Sequence, residues 1–295
     1  MADIKNKSIN PWGDVVLPAK QTYRLSAMLL TLMLVLLNIG VYIYQDYYAS
    51  PLPSRENNLL LYGANVYQLS LTGEWWRYPI SIVLHADPVH LVINCLALFV
   101  IGINCEALSG KFRMLIIYAV SGIGASLFSA IWQSTVFDMN QGIYVYAYAV
   151  SVTVAVGASG AIMGIAAATA VFLFKEIRNP VLPADKRALY KRNLMFIIAL
   201  MVLALISGTE SDVDNSAHVS GAVIGGLLAV AYRLFSAKTS FAKTTYCVFV
   251  SAAAVILLAL AIYSCSFSQD SGLLIERELI YQEINSDLHK YHPAE

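Results

Sequence analysis

Long hydrophobic stretches recur along the chain and are separated by short polar segments. A helix needs about 20 mostly apolar residues to cross the hydrocarbon of a bilayer. Stretches near that length, with few or no charged residues, cover residues 25–44, 89–108, 114–137, 193–208, 216–232 and 244–268. They predict six membrane-spanning helices. The first is expected to be an uncleaved anchor, because its apolar run is longer than that of a secretory signal.

The segment from Met139 to Phe174 has a different pattern. Its 36 uncharged residues are too many for one span and too few for two spans with a loop. The sequence Gly157-Ala158-Ser159-Gly160 interrupts it, and a helix from Ser159 to Phe174 is only about 24 Å long. Non-helical backbone at membrane depth is tolerated only against protein or a water-filled cavity. We therefore expect a seventh, short span, fourth in chain order, with Ser159 at the floor of a submerged cavity.

Composition narrows the class of protein. The chain is 58% hydrophobic and 13% charged, whereas soluble domains carry about 25% charged residues. The formal net charge of zero provides no electrostatic footprint for nucleic acid, so no nucleic-acid partner is expected. The cysteines lie in apolar runs without metal-ligand spacing and are interpreted as structural. The fold class predicted is therefore an all-α, polytopic membrane helix bundle embedded in the lipid bilayer.

The distribution of Lys and Arg predicts the orientation, because cytoplasmic loops retain positive residues. Fifteen of the nineteen fall in residues 1–24, 109–113, 175–192 and 233–243. The N-terminus is therefore expected in the cytoplasm, and the C-terminus and the Ser159 cavity on the other face. Compactness and short loops suggest a bacterial inner membrane.

The chain divides into four parts on this interpretation. Residues 1–24 form a cytoplasmic segment, 25–236 a six-helix core, 237–268 a linker and seventh span, and 269–295 a non-cytoplasmic acidic tail. Apolar residues in the tail recur at near-helical spacing, which predicts an amphipathic helix. We expect this helix to be a solvated or interfacial appendage.

Four polar residues lie where burial in a membrane is costly, namely His90, Asn94, Ser159 and His218. Such residues are functional candidates, since an unpaired one costs several kcal/mol. His90 and Asn94 are four apart and share one helix face. Ser159 starts the fourth span and His218 lies in the first turn of the sixth. All four are therefore expected at a similar depth.

Small residues allow these helices to approach. Gly160 and Gly164 lie on the fourth span, and Gly221 and Gly225 lie on the face of His218. Such faces let backbones nearly touch in membranes. Simple helix packing, with Ser159 bonded to its own backbone, is the alternative. The convergence of the polar residues on a broken helix favours a functional site.

The set of side chains suits acyl transfer. His218 can act as general base for a Ser159 nucleophile, while His90, Asn94 and the Ser159 backbone N–H can stabilise the oxyanion. Asp214 could orient His218, but capping of the following helix is the favoured role. The prediction is a serine–histidine dyad.

An ordered set of motifs resembles the rhomboid family of intramembrane serine proteases over about residues 60–235. The motifs are Gly63-Ala64-Asn65, Gly73-Glu74-Trp75-Trp76-Arg77, the His-x4-His-x3-Asn spacing from His85 to Asn94, Gly102 with Glu106, Gly157-Ala158-Ser159-Gly160, and Ala217-His218 followed by Gly221 and Gly225. One departure is Met163, at a position where many members of the family carry an aromatic ring.

The resemblance implies catalysis by Ser159 and His218, oxyanion binding by His90 and Asn94, and no metal or cofactor. It implies cleavage of membrane-anchored proteins at or near the membrane surface, by a rhomboid of the six-plus-one type. Structural support is expected from Gly157, Gly160, Gly164, Gly221, Gly225, Arg77 and Glu106. A non-catalytic rhomboid-like binder of transmembrane helices and a transporter are the alternatives.

Overall fold

The computed structural model describes residues 8–9, 15–16, 28–48, 51–140, 152–207, 214–234 and 239–291. The helices in these residues are α1 Leu29–Ile43, α2 Arg55–Tyr62, α3 Tyr67–Ser70, α4 Arg77–Ser81, α5 Pro88–Ser109, α6 Lys111–Asn140, α7 Ser159–Ile177, α8 Ala184–Ser207, α9 Asn215–Leu234, α10 Ser240–Cys265 and α11 Ser271–Tyr291. A π-helical turn, Tyr44–Tyr48, extends α1. Two short antiparallel strands, β1 Ser8–Ile9 and β2 Val15–Val16, precede the bundle.

Seven of the described helices are long and apolar enough to cross a membrane, namely α1, α5, α6, α7, α8, α9 and α10. The predicted fold class, an all-α polytopic bundle with seven spans, is confirmed. The break expected before the short span is found at Gly157, whose φ of 119° turns the backbone into α7. Part of the uncharged segment before this break, residues 141–151, lies outside the described residues.

The core of the bundle forms around α6 and α7, and α9 packs against both. Its fully buried side chains come from four helices, α5, α6, α7 and α9, and include Leu98, Ile117, Ile165, Phe172 and Ala229. In contrast, α8 and α10 lie at the periphery and expose most of their apolar side chains. The helix that begins with Ser159 is therefore held on several sides by packed neighbours.

The carboxylate of Glu106 attaches α1 to α5. It accepts hydrogen bonds from the backbone N–H groups of Leu30 and Thr31, at 3.1 and 2.9 Å, and from the Thr31 hydroxyl at 2.8 Å. These N–H groups belong to the first turn of α1, where a helix has no internal acceptors and favours negative charge. Gly102 leaves room for Thr31, since a Cβ at Gly102 would lie 2.7 Å from its methyl group.

The acidic tail corrects one expectation. It forms the predicted helix, α11, but this helix is not a solvated appendage. Ile280 and Ile284 are 2% and 6% exposed, because they pack against α2 and α3. These two helices belong to the connection between α1 and α5, residues 51–87, which we call the outer loop. The amphipathic pattern located the apolar face of α11, and a surface formed by residues more than 200 positions away covers it.

Candidate active site

The structure brings together the two residues predicted to react. Ser159 is the first residue of α7 and His218 lies in the first turn of α9. Nε2 of His218 is 2.8 Å from the Ser159 hydroxyl oxygen, which is hydrogen-bonding distance. His218 is buried, whereas Ser159 is partly exposed. A serine hydroxyl in contact with an imidazole is the arrangement that general-base activation requires.

Glycines on the facing sides of α7 and α9 make this contact possible. A Cβ at Gly221 would collide with the carbonyl of Gly160, and a Cβ at Gly225 would collide with the carbonyl of Gly164. The two helix backbones are therefore in direct contact, as small residues permit in membrane proteins. This close approach lets the short Ser159 side chain reach the ring of His218.

Gly157 forms the turn that leads into Ser159. Its backbone N–H donates to the carbonyl of Ser81 at 2.9 Å, and its positive φ is disfavoured for residues with a side chain. A Cβ here would lie 2.8 Å from the His90 ring and 3.8 Å from the Asn94 amide nitrogen. His90 and Asn94 therefore face the turn two residues before Ser159.

Backbone donors are available at the same point. The first hydrogen bond of α7 runs from the Ile162 N–H to the Ala158 carbonyl, at 2.9 Å. Within the described residues, the N–H groups of Ser159 and Gly160 have no backbone acceptor. The free N–H groups at a helix start carry partial positive charge and can bind an anion.

The side chain of Asp214 caps α9 and makes no hydrogen bond to the ring of His218. One oxygen accepts from the Ala217 N–H at 3.1 Å and from the Ser216 hydroxyl at 2.5 Å. The other accepts from the Ser129 hydroxyl. Among the described residues, Nδ1 of His218 has no hydrogen-bond partner.

The extended segment before Ser159 is paired with the outer loop at one residue. Asn65 and Ala155 exchange two backbone hydrogen bonds, of 3.0 and 2.9 Å. The Asn65 side chain donates to the Ser126 carbonyl at 2.8 Å and accepts from the Ser70 hydroxyl at 2.7 Å. Sequence reasoning recognised Asn65 only as part of a motif. Its pairing with Ala155 has no local signal, since 90 residues separate the two.

Arg77 stabilises the outer loop beside this segment. Its guanidinium donates to the carboxylate of Glu74 at 2.7 Å and to the carbonyls of Leu60 and Ala64 at 2.8 and 3.0 Å. Burial lowers the pKa of Arg77, and the Glu74 carboxylate opposes that effect. A buried cation with these partners fixes α2 relative to α4.

His85 lies between α4 and α5, directly behind the site. It is fully buried, and its ring meets that of His90 edge to face at a centroid distance of 5.3 Å. Its backbone carbonyl accepts from the Gln45 side chain at 2.9 Å, which anchors the outer loop to the end of α1. Burial lowers the pKa of His85 to about 4, and the neighbouring His90 adds to this effect.

The fold and the site define a polytopic membrane protein with a serine–histidine pair at the start of a short span. A family model described as the rhomboid domain matches residues 72–237. The chain is 51% identical over 282 residues to rhomboid protease AarA of Providencia stuartii, covering 95% of this chain and 96% of that protein. It is 31% identical over 233 residues to rhomboid protease GluP of Bacillus subtilis, covering 76% of this chain and 39% of that protein.

The chain therefore belongs to the rhomboid family, and it is a serine-type intramembrane endopeptidase. RHOMBOID-like protein 5 of Arabidopsis thaliana is a further relative, 34% identical over 184 residues, with 60% of this chain and 52% of that protein covered. The match to AarA covers 95% of this chain, and so it extends beyond the rhomboid domain through α10.

Proposed function

We propose that Ser159 and His218 form a catalytic dyad that cleaves peptide bonds through an acyl-enzyme. The observation that carries this proposal is the 2.8 Å contact between the Ser159 hydroxyl and Nε2 of His218. Neutral His218 accepts the serine proton as the oxygen attacks the substrate carbonyl. The carbon–nitrogen bond then breaks, and His218 gives the proton to the leaving amine.

Water completes the reaction. It loses a proton to His218 and attacks the acyl-enzyme, which releases the new carboxyl end and restores the Ser159 hydroxyl. In both steps the developing oxyanion accepts hydrogen bonds from the Ser159 N–H and from the His90 and Asn94 side chains. One amide hydrogen of Asn94 is used on the His90 carbonyl at 3.0 Å, which leaves the second for the oxyanion.

The substrate class we propose is single-span membrane proteins cleaved at or near the non-cytoplasmic surface. The backbone groups of Val154 and Val156 have no backbone partner among the described residues, although Ala155 between them is paired. An unpaired edge of this kind can accept an extended peptide by strand addition. Such an edge a few residues from Ser159 supports a polypeptide substrate, and the protease relatives favour proteolysis over the transporter and binder alternatives.

Covalent labelling tests the dyad. We expect a fluorophosphonate to modify wild-type protein at Ser159, and Ser159→Ala and His218→Ala to abolish both labelling and cleavage of a single-span substrate. Asn215→Ala, in the same first turn of α9, is the control. Modification at another serine, or normal cleavage by either variant, would rule out the mechanism.

A further inference from the structure

The tail helix α11 is attached to the outer loop by both apolar and polar contacts. Ile280 and Ile284 pack in a buried cluster with Leu60, Val66 and Leu69. Burial of two such side chains provides a substantial driving force for docking. The apolar face of α11 is thus already occupied, and its occupant is the outer loop of the same chain.

Three polar contacts fix the position of α11 on this surface. The Arg277 guanidinium donates to the Thr72 carbonyl at 2.7 Å, the Tyr281 hydroxyl donates to the Glu74 carboxylate, and the Asn57 amide donates to the Asp287 carboxylate at 2.8 Å. They are spread over nearly three turns of the helix. Contacts distributed in this way fix both the rotation and the axial position of α11.

The connection from α10 to α11 is attached to the same loop. The Ser268 N–H donates to the Leu71 carbonyl at 2.8 Å, and the Ser266 and Tyr78 hydroxyls are 3.0 Å apart. The end of the seventh span and the start of the tail therefore lie against α3 and α4. The seventh span delivers α11 to the face of the bundle that holds Ser159.

The surface formed by α11 and the outer loop also supports the segment that leads to the serine. Val152 and Val154 pack against the same cluster as Ile280 and Ile284. Ala155 pairs with Asn65, and Val154 lies five positions before Ser159 in the chain. A cavity of about 180 Å³ remains where Val152, Val154 and Ile284 meet α2, so this junction is not filled on all sides.

We propose that α11 is a positioning element for the segment 152–156. By packing behind Val152 and Val154 it holds the unpaired edge at Val154 and Val156 where a substrate backbone can pair and reach Ser159. Ile280 and Ile284 act through this segment and do not touch the reacting atoms. This inference rests on the proposed function, in which the segment 152–156 places the substrate and the Ser159–His218 dyad transfers the proton.

The test separates substrate placement from serine reactivity. We expect Ile280→Asn and Ile284→Asn, in the full chain reconstituted in liposomes, to lower kcat/KM for a single-span substrate roughly ten- to hundred-fold, as small misplacements do. The rate of Ser159 labelling by a small fluorophosphonate should stay within about two-fold, because that probe needs no strand pairing. Ile284→Leu should restore cleavage, since it preserves the apolar contact.

Leu279→Asn and Ile275→Asn are matched controls, because these side chains on the same helix are 46% and 61% exposed. Both should cleave at the wild-type rate. Tyr281→Phe removes one hydrogen bond without opening a cavity. We expect it to lower cleavage less than Ile280→Asn and Ile284→Asn do, again with little change in the rate of Ser159 labelling. The thermal unfolding midpoint of the Tyr281→Phe variant, compared with that of wild-type protein in detergent, establishes that the variant is folded.

Two outcomes would overturn the positioning role. Labelling and cleavage that fall in parallel would mean that α11 only maintains the fold, and unchanged cleavage in Ile280→Asn, Ile284→Asn and Tyr281→Phe would mean that α11 is dispensable. Failure of the dyad itself is distinguishable, because wild-type protein would then carry no label at Ser159.

Discussion

At the scale of single residues, Gly157 is where backbone conformation and catalytic geometry depend on each other. A side chain at this position would be strained by the left-handed backbone, which costs about 1–2 kcal/mol, and would press on the His90 ring. Gly73 provides the contrast, because its φ of 123° is equally left-handed but a Cβ there meets nothing within 4 Å. Comparing the same substitution at Gly157 and at Gly73 therefore distinguishes the effect of backbone strain from the effect of contact with the site.

We predict that Gly157→Ala reduces substrate cleavage by roughly 100-fold, since loss of one oxyanion donor typically costs 100- to 1000-fold. Gly73→Ala should lower the thermal unfolding midpoint to a similar degree and retain most of the activity. Initial rates on a single-span substrate, measured beside thermal unfolding in detergent, provide the comparison. Equal activity losses in the two variants would assign the effect to strain alone.

His85 makes stability depend on pH. Its pKa of about 4 in the folded protein is below the ordinary histidine value of about 6.5. Between these pH values the unfolded state binds a proton that the folded state does not, so the free energy of unfolding falls as the pH is lowered. The stabilising contribution is complete above pH of about 6.5 and is lost progressively towards pH 4.

The contribution of His85 to the free energy of unfolding is expected to fall by about 3 kcal/mol at low pH. Each unit of difference between its pKa in the unfolded and folded states corresponds to about 1.4 kcal/mol. This change is measured by following the unfolding of wild-type protein and of His85→Gln from pH 7 to pH 4. The variant should show a shallower pH dependence, whatever its stability at pH 7. His289→Gln is the control, because His289 is exposed on α11. Identical slopes in wild type and His85→Gln would contradict the assignment.

At the scale of helices, the contact of α7 with α9 determines whether the serine and histidine can meet. We predict that Gly221→Ala strongly reduces both fluorophosphonate labelling and cleavage, because its Cβ must displace the Gly160 carbonyl one residue after Ser159. Gly226→Ala is a close control on the same helix, since its Cβ would lie 3.7 Å from the Ala167 methyl, an ordinary contact distance. Normal labelling of Gly221→Ala would show that the helices separate without disturbing the dyad.

Helices also show where sequence reasoning succeeded and where it stopped. The spans and the Ser159–His218 contact were predictable, because long apolar runs, costly polar residues and small-residue faces each have a local signature. The packing of Ile284 was not, since an amphipathic pattern indicates an apolar face without identifying what covers it. The pairing of Asn65 with Ala155 depends on residues far apart in the chain, and nothing in segment 152–156 distinguishes it from other apolar residues.

At the scale of the whole molecule, one end of the bundle carries all the elements argued to handle substrate. The segment 152–156, Ser159, the outer loop and α11 are in mutual contact or directly linked. The opposite end carries the turns between α5 and α6 and between α7 and α8, the end of α9 and the start of α10, and Lys and Arg are concentrated in these parts of the sequence. Because positive loops are retained in the cytoplasm, the reacting end is expected on the non-cytoplasmic side.

Cysteine accessibility tests this orientation with two exposed lysines. In a background with Cys95, Cys105, Cys247 and Cys265 replaced by Ala, Lys290→Cys on α11 should react with a membrane-impermeant maleimide in intact cells. Lys186→Cys, in the first turn of α8, should react only after permeabilisation, because it belongs to a loop region with six positive residues. The reverse pattern would place Ser159 on the cytoplasmic side. Since α11 contacts the loop next to Ser159, the Lys290→Cys result also reports the side on which substrates are cleaved.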